Sequence, residues 1–346
     1  MNAAYNFSAG PAMIPIEVMN QVKQELNNWN SLGFSIMEIS HRSQEFMSIA
    51  KESEQDLRDL LNIPQHYKVL FCQGGARGQF SAIPMNLLKN VKTVDYINSG
   101  YWSQCAMIEA KKYCNPKDIN IKILKNGKIS LLPMSQWNIS SSSEYIHYCP
   151  NETIDGLAIH EEPIFHNKIV IGDFSSVILS RVIDIEKYDL IYAGSQKNIG
   201  PAGLTIIIIH ENLIKRSSVI SPSILDYSII SKNNSMFNTP STFSWYVSGL
   251  VFKWLKLKGG LNLIEKNNKI KSNLLYDTID QSDFYINHID KKNRSDMNIT
   301  FNLIDPKLND IFLKKALQKR LYFLKGHSII GGIRASIYNA MPVKGV

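Results

Sequence analysis

Through the first two-thirds of the 346-residue chain, short apolar runs alternate with helix-length segments, and several of those runs are apolar on both faces. They are KVLFC (68–72), TVDYI (93–97), EYIHYC (144–149), KIVIGDF (168–174), DLIYAG (189–194) and LTIIII (204–209). A strand with β-branched and aromatic residues on both faces must be covered on both, as happens in a sheet lying between layers of helices. The intervening segments supply that cover. Residues 15–29 start with Pro15 at a helix N-terminus and set Val18, Val22, Leu26 and Trp29 on one face. Residues 45–61 repeat the pattern with Phe46, Ile49, Ala50, Leu57 and Leu60, and further helices are expected at 77–88 and 102–113. Strand–helix alternation of this kind predicts an α/β fold with a mostly parallel, helix-covered sheet.

The last third reads differently. Residues 242–258 form a strongly apolar helix that Gly259-Gly260 stops, and a polar amphipathic helix follows at 261–279. Beyond it the pattern is strand (297–303), helix (309–320), strand (321–324) and strand (332–338), which suits a small α+β unit. The expected organisation is therefore a large domain of residues 1–260 and a smaller C-terminal domain of 261–346, with residues 1–15 packing against the smaller one.

Composition narrows the function classes. Hydrophobic residues make up 44% of the chain and charged residues 20%, so a sizeable core can form and disorder is excluded. The net charge of +8 and a pI near 9.1 raise the question of nucleic acid or membranes. The basic clusters are short, however, such as Lys111-Lys112, Lys291-Lys292 and Lys314-Lys315, and no nucleic-acid recognition motif is present. An anionic small molecule is the better use of the positive potential. Cys72, Cys105, Cys114 and Cys149 show neither CxxC spacing nor disulfide density, which fits a reducing compartment. MNAAYNFSAGPAM is not a secretory signal, and no apolar run reaches the roughly 18 residues a membrane helix needs. A cytoplasmic protein is expected.

Absent motifs remove several enzyme classes. There is no GxGxxG, GxxxxGK[ST] or GxSxG. HEEPIFH separates His160 from His166 by six positions with Pro163 between them, so it does not give the pairing of a helical zinc site, and no metal is expected. What remains is three junctions at strand ends. IVIGDFSS puts Asp173 at the end of an apolar strand, IYAGSQKNIGPAGL ends another at Lys197, and FCQGGARGQF is a Gly-rich turn from strand to helix. Each alone also fits a blander role: an acidic loop cap, a surface lysine, an ordinary turn. Together they complement pyridoxal phosphate, which needs an amine for its aldehyde, a carboxylate for its pyridine nitrogen and an anion site for its phosphate. Only one strand separates Asp173 from Lys197, so both can lie at the carboxyl ends of sheet strands, where α/β proteins bind ligands.

The chain also resembles a known family. NFSAGPA, WNSLGFSIMEISHRS, KVLFCQGGARGQF, GYWS, HYCPNETIDG, DFSS, YAGSQKNIGPAGL, PSILDY, SMFNTP and GHSIIGGIRASIYNAMP match, in order and over nearly the whole length, the phosphoserine aminotransferases. These are class V members of the fold-type I pyridoxal-phosphate enzymes. The resemblance implies that Lys197 is the Schiff-base lysine and proton shuttle and that Asp173 faces the pyridine nitrogen. It implies that Ala76, Arg77 and Gln196 hold the cofactor phosphate, that Trp102 stacks on the ring, and that Thr153 bonds its edge. Asn238 and Thr239 would reach the phosphate from a neighbouring subunit, which implies a homodimer with shared active sites. Arg334 matches the family's α-carboxylate clamp; His41, Arg42, Arg77 and His327 match its pocket for the distal phosphate, with Ala9 near the substrate. The implied reaction interconverts 3-phosphoserine and 2-oxoglutarate with 3-phosphohydroxypyruvate and glutamate, in serine biosynthesis. In bacteria the family often also takes 4-phosphohydroxythreonine, on the route to pyridoxal phosphate itself.

Three residues depart from the family pattern: Ser328 stands where an Arg is expected, Ala9 where a Ser is, and Ala76 where a Gly is. The sequence given also stops at Gly345-Val346, where relatives continue into a final helix. The competing readings are another class V enzyme, such as a serine–pyruvate type aminotransferase, or a decayed relative without activity. A cysteine desulfurase needs a catalytic Cys toward the C-terminal part, and the last one here is Cys149.

Overall fold

The computed structural model describes residues 4–88, 93–165, 167–214, 216 and 221–346. Its main sheet has seven strands: β1 (Tyr67–Cys72), β2 (Thr93–Asn98), β3 (Asn115–Asn120), β4 (Tyr145–Tyr148), β5 (Ile169–Asp173), β6 (Leu190–Gly194) and β7 (Thr205–His210). Their spatial order is β1-β7-β6-β5-β4-β2-β3. All run parallel except β7, which is antiparallel to both of its neighbours, so β1 points the same way as β6. Six of the strands follow the runs read from the sequence. The exception is β3, NPKDIN, which is polar because an edge strand pairs on one side only and tolerates Pro116.

Helices cover both faces. One face carries α1 (Ile16–Glu25), α2 (Gln44–Leu61) and α5 (Thr242–Leu257), whose buried residues join those of the sheet in one core. Gly249 of α5 lies against Ser53 of α2, where a Cβ would stand 3.1 Å from the Ser53 Cβ; Trp245 Nε1 donates to Ser53 Oγ at 2.7 Å. The opposite face is packed by α3 (Gly75–Leu87) and α4 (Tyr101–Ala110) in a second core containing Phe80, Ala106, Tyr96, Tyr145 and Tyr192. α1 stops well short of residue 29, because Asn28 leaves the helix and its side chain accepts from the Gly33 N–H at 2.7 Å.

After α5, Gly259 and Gly260 adopt positive φ, and α6 (Leu261–Asp280) begins. β8 (Asn298–Leu303) pairs antiparallel with β9 (Ile333–Ser336), backed by α7 (Asn309–Gln318) around a third core. The run expected as a strand at 321–324 forms a strand only over Leu321–Tyr322, and that strand's partner is Tyr5–Asn6 near the N-terminus rather than β8 or β9. Among the described residues, no helix is long and apolar enough to cross a membrane.

Candidate active site

Because β1, β2, β4, β5 and β6 share one direction, their carboxyl ends open on one edge of the sheet, and each delivers part of the site. Asp173 closes β5. It is buried, and its carboxylate accepts from the Ser175 N–H at 3.0 Å. Burial pushes its pKa above the ordinary value, while Ser175, Lys197 and Tyr192 pull the other way. Tyr192 is in register with Asp173 across β5–β6 and also bonds His147 Nε2 at 2.8 Å.

β6 ends at Gly194, where a Cβ would stand 2.6 Å from Gln196 Oε1, and the chain turns through Gln196 to Lys197. The Lys197 amine donates to Thr153 Oγ1 at 2.8 Å. Desolvation is the main cause lowering its pKa to about 8; Arg334 acts in the same direction, and Asp173, Cys149 and Glu152 oppose it. A lysine amine that gives up its proton near neutrality is suited to nucleophilic and base chemistry. Trp102, in the first turn of α4, has the Lys197 amine 5.9 Å and the Arg77 guanidinium 5.4 Å from its ring centroid. Arg77 and Ala76 open α3, behind a turn in which Gly74 and Gly75 take φ of 92° and 64°. The first N–H groups of such a helix have no partners within it and favour anions.

From the C-terminal strands comes Arg334 on β9. Its Nε is buried without a hydrogen-bond partner among the described residues, and burial lowers its pKa. The Tyr338 hydroxyl donates to the Ala9 carbonyl at 2.9 Å and faces Thr153. His327 lies with its ring 5.6 Å from that of Tyr101, while Ser328 beside it is exposed. Lys197, Thr153, Trp102, Arg77, Asp173 and Arg334 are thus brought together within one chain. His41, Arg42, Asn238 and Thr239 are not: among the described residues, no hydrogen bond or ring contact joins them to Lys197. Arg42, Asn238 and Thr239 are exposed, and His41 Nε2 is buried without a partner.

Several neighbours of the site were not singled out from the sequence. Glu152 and Asp155 cap α4, Tyr192 faces Asp173, and Asn198 ties the lysine turn to Asn339, whose N–H it accepts at 3.0 Å. The available signal was the presence of polar residues inside otherwise apolar strand ends, as in HYCPNETIDG and LIYAG. His160 Nε2 bonds the Arg294 carbonyl at 2.9 Å, His166 lies outside the described residues, and no cluster among the described residues could hold a metal ion.

A partly desolvated lysine with a hydroxyl, a buried carboxylate and an indole around it, at the carboxyl edge of a mostly parallel sheet, defines a site of the pyridoxal-phosphate transferase type. The family model for aminotransferase class-V matches residues 4–346. The phosphoserine aminotransferase of Buchnera aphidicola subsp. Acyrthosiphon pisum (strain Tuc7) is 68% identical over 346 residues, covering 100% of this chain and 96% of its own length. Among solved structures, the phosphoserine aminotransferase from Bacillus circulans subsp. alkalophilus matches with a TM-score of 0.95 at 40% identity, over 99% of this chain and 95% of that one. The pyridoxal-phosphate-bound phosphoserine aminotransferase from Trichomonas vaginalis matches with a TM-score of 0.93 at 37% identity, over 99% and 97%. The chain belongs to the class-V aminotransferase family, in its phosphoserine aminotransferase branch, and is a pyridoxal-phosphate-dependent enzyme. The residues present fit that cofactor: an amine and a carboxylate face each other, and Trp102 Nε1 and Arg334 Nε are buried without partners, as happens where a ligand completes the bonding.

Proposed function

We propose that this enzyme is a homodimeric cytoplasmic transaminase, interconverting 3-phospho-L-serine and 2-oxoglutarate with 3-phosphohydroxypyruvate and L-glutamate. The observation that carries the reading is the pairing of Arg334, with a buried and unpartnered guanidinium nitrogen, with the Lys197 amine it faces electrostatically. One anchors a carboxylate and the other works at the adjacent Cα. The relatives, named phosphoserine aminotransferases, support the choice of a phosphorylated substrate.

Bound pyridoxal phosphate supplies the electron-withdrawing ring that makes loss of a Cα proton feasible. Lys197 would hold the cofactor's aldehyde end, and its neutral amine, once the substrate's amine has displaced it from that bond, would accept the Cα proton. Asp173 would hold a proton at the pyridine nitrogen. Trp102 would cover the cofactor ring, Thr153 would bond it, and Ala76, Arg77 and Gln196 would hold its phosphate, joined by Asn238 and Thr239 of the partner subunit. Arg334 binds the substrate carboxylate bidentately. His41, Arg42, Arg77 and His327 take the distal anion, with Ala9 beside it. Residues 1–260 and 261–346 act as two domains around the site.

The test is a single-turnover half-reaction. Phosphoserine added to the holoenzyme should bleach its visible absorbance and release 3-phosphohydroxypyruvate in proportion to sites. If serine or alanine does so and phosphoserine does not, the serine–pyruvate type reading replaces this one.

A further inference from the structure

Glu152 has no place in the chemistry above, yet it is the most deliberately placed carboxylate near the site. It is fully buried, and among the described residues no cation forms an ion pair with it. Its oxygens are instead used on α4: Oε2 accepts from the Trp102 N–H and Oε1 from the Ser103 N–H, both at 2.9 Å, with the Ser99 hydroxyl at 3.4 Å from Oε1. Asp155, from the same short hairpin, accepts from the Tyr101 N–H at 3.1 Å. Gly100 makes this grip possible, because a Cβ there would stand 2.5 Å from Asp155 Oδ2 and 2.7 Å from Glu152 Cγ. Between the two carboxylates in sequence is Thr153, the residue that receives the Lys197 amine. One hairpin therefore holds the helix that carries the indole and the lysine side chain at once.

We infer that Glu152 is a positioning residue: by capping α4 it fixes the Trp102 indole relative to the Lys197 amine that the adjacent Thr153 holds. The inference rests on the reading of Trp102 as the residue lying on the cofactor ring. Capping alone would be satisfied by a short neutral side chain such as Ser or Asn, which needs less desolvation. A fully buried carboxylate is costly, and burial together with the neighbouring Asp155 pushes its pKa up to about 7. When ionised, Glu152 also faces the Lys197 amine with a negative charge, alongside Asp173 and opposite in effect to Arg334. Glu152 thus acts on two of the residues read as holding the cofactor, Trp102 and Lys197.

The experiment measures pyridoxal-phosphate binding to apoenzyme, with Glu152→Ala, Glu152→Gln, Trp102→Leu and the Glu152→Ala/Trp102→Leu double variant. Glu152→Ala should weaken binding about ten- to hundredfold, the effect of losing charge-assisted hydrogen bonds. The double variant should fall within about twofold of Trp102→Leu alone, since the two residues act as a unit. Glu152→Gln, which keeps an acceptor but removes the charge, should move the pH midpoint of cofactor uptake downward, because Lys197 then loses its proton more readily. Binding by Glu152→Ala as tight as the parent's, with Trp102→Leu impaired, overturns the inference and leaves the Trp102 reading standing. Parent-like binding by Trp102→Leu overturns the reading itself. Fully additive losses in the double variant also overturn the inference. If Glu152→Ala does not fold, an unmoved pH midpoint in Glu152→Gln is sufficient to overturn it.

Discussion

The two ends of the site are built in opposite ways. The end around Lys197 and Asp173 is built at strand termini: Asp173 closes β5 and is paired in register with Tyr192 of β6, Lys197 follows the end of β6, and Thr153 follows β4 and receives the Lys197 amine. The end around His327 and Ser328 is a loop in which His327 is half-buried and Ser328 exposed, and Arg42, Asn238 and Thr239 are exposed, with no hydrogen bond to Lys197 among the described residues. If the site works as proposed, the strand termini form the half for bond-making and the exposed loop belongs to the half that recognises the far end of the substrate. Firm placement would then fall where sub-ångström geometry decides rate, and adaptability where a phosphate and a carboxylate would be accepted in turn.

That contrast is open to direct attack. Lys197→Ala should have the largest effect, lowering kcat by about a hundred- to ten-thousandfold and abolishing borohydride-fixed cofactor. A variant that still fixes cofactor would place the bond-making lysine elsewhere. Arg334→Gln should raise KM for phosphoserine and glutamate alike by about ten- to hundredfold, because both present the same carboxylate to it. An effect on one substrate only would move Arg334 to the adaptable half. Mixing Lys197→Ala with Asn238→Asp subunits should restore about a quarter of parent activity if the loose half is completed by the partner, since half the dimers then carry one intact site. No recovery would put Asn238 and Lys197 in the same chain's site. The pH dependence comes next. With its pKa lowered to about 8, the Lys197 amine is neutral above that pH, so uptake of pyridoxal phosphate by apoenzyme should rise through pH 8 and then level off. A lysine at its ordinary value would still be gaining rate beyond about pH 10. The smallest change should come from Ser328→Arg, which lowers KM for phosphoserine about tenfold while leaving glutamate within about twofold.

Legibility in the sequence divides along the same line. Strands apolar on both faces can belong only to a covered sheet, so β1, β2 and β4 to β7 were readable from composition and spacing, and the residues at their ends followed. β3 was not, because half of its pairing is missing at the edge and NPKDIN has no apolar signature. The pairing of Leu321–Tyr322 with Tyr5–Asn6 was invisible for another reason: two-residue strands carry no period, and the contact spans nearly the whole chain. Glu152 and Tyr192 escaped because their roles depend on which side chain stands across the gap, which periodicity does not encode. Lys197, Asp173 and Arg334 could be named from the family resemblance; that Arg334 has a buried Nε without a partner required coordinates.

The bond between Asn198 and Asn339 has a mechanical meaning. Asn198 directly follows Lys197, accepts from the Asn339 N–H at 3.0 Å and donates to the Ile178 carbonyl at 3.0 Å; Asn339 Nδ2 in turn donates to the Leu179 carbonyl at 2.9 Å. Asn339 lies just beyond the strand that carries Arg334. Any displacement of the C-terminal sheet therefore drags the lysine turn with it, and the interval between amine and guanidinium behaves as a fixed gauge. If Arg334 anchors the substrate's carboxylate as proposed, molecules would be measured against that gauge at their amino-acid end, with tolerance in length left to the loops beyond.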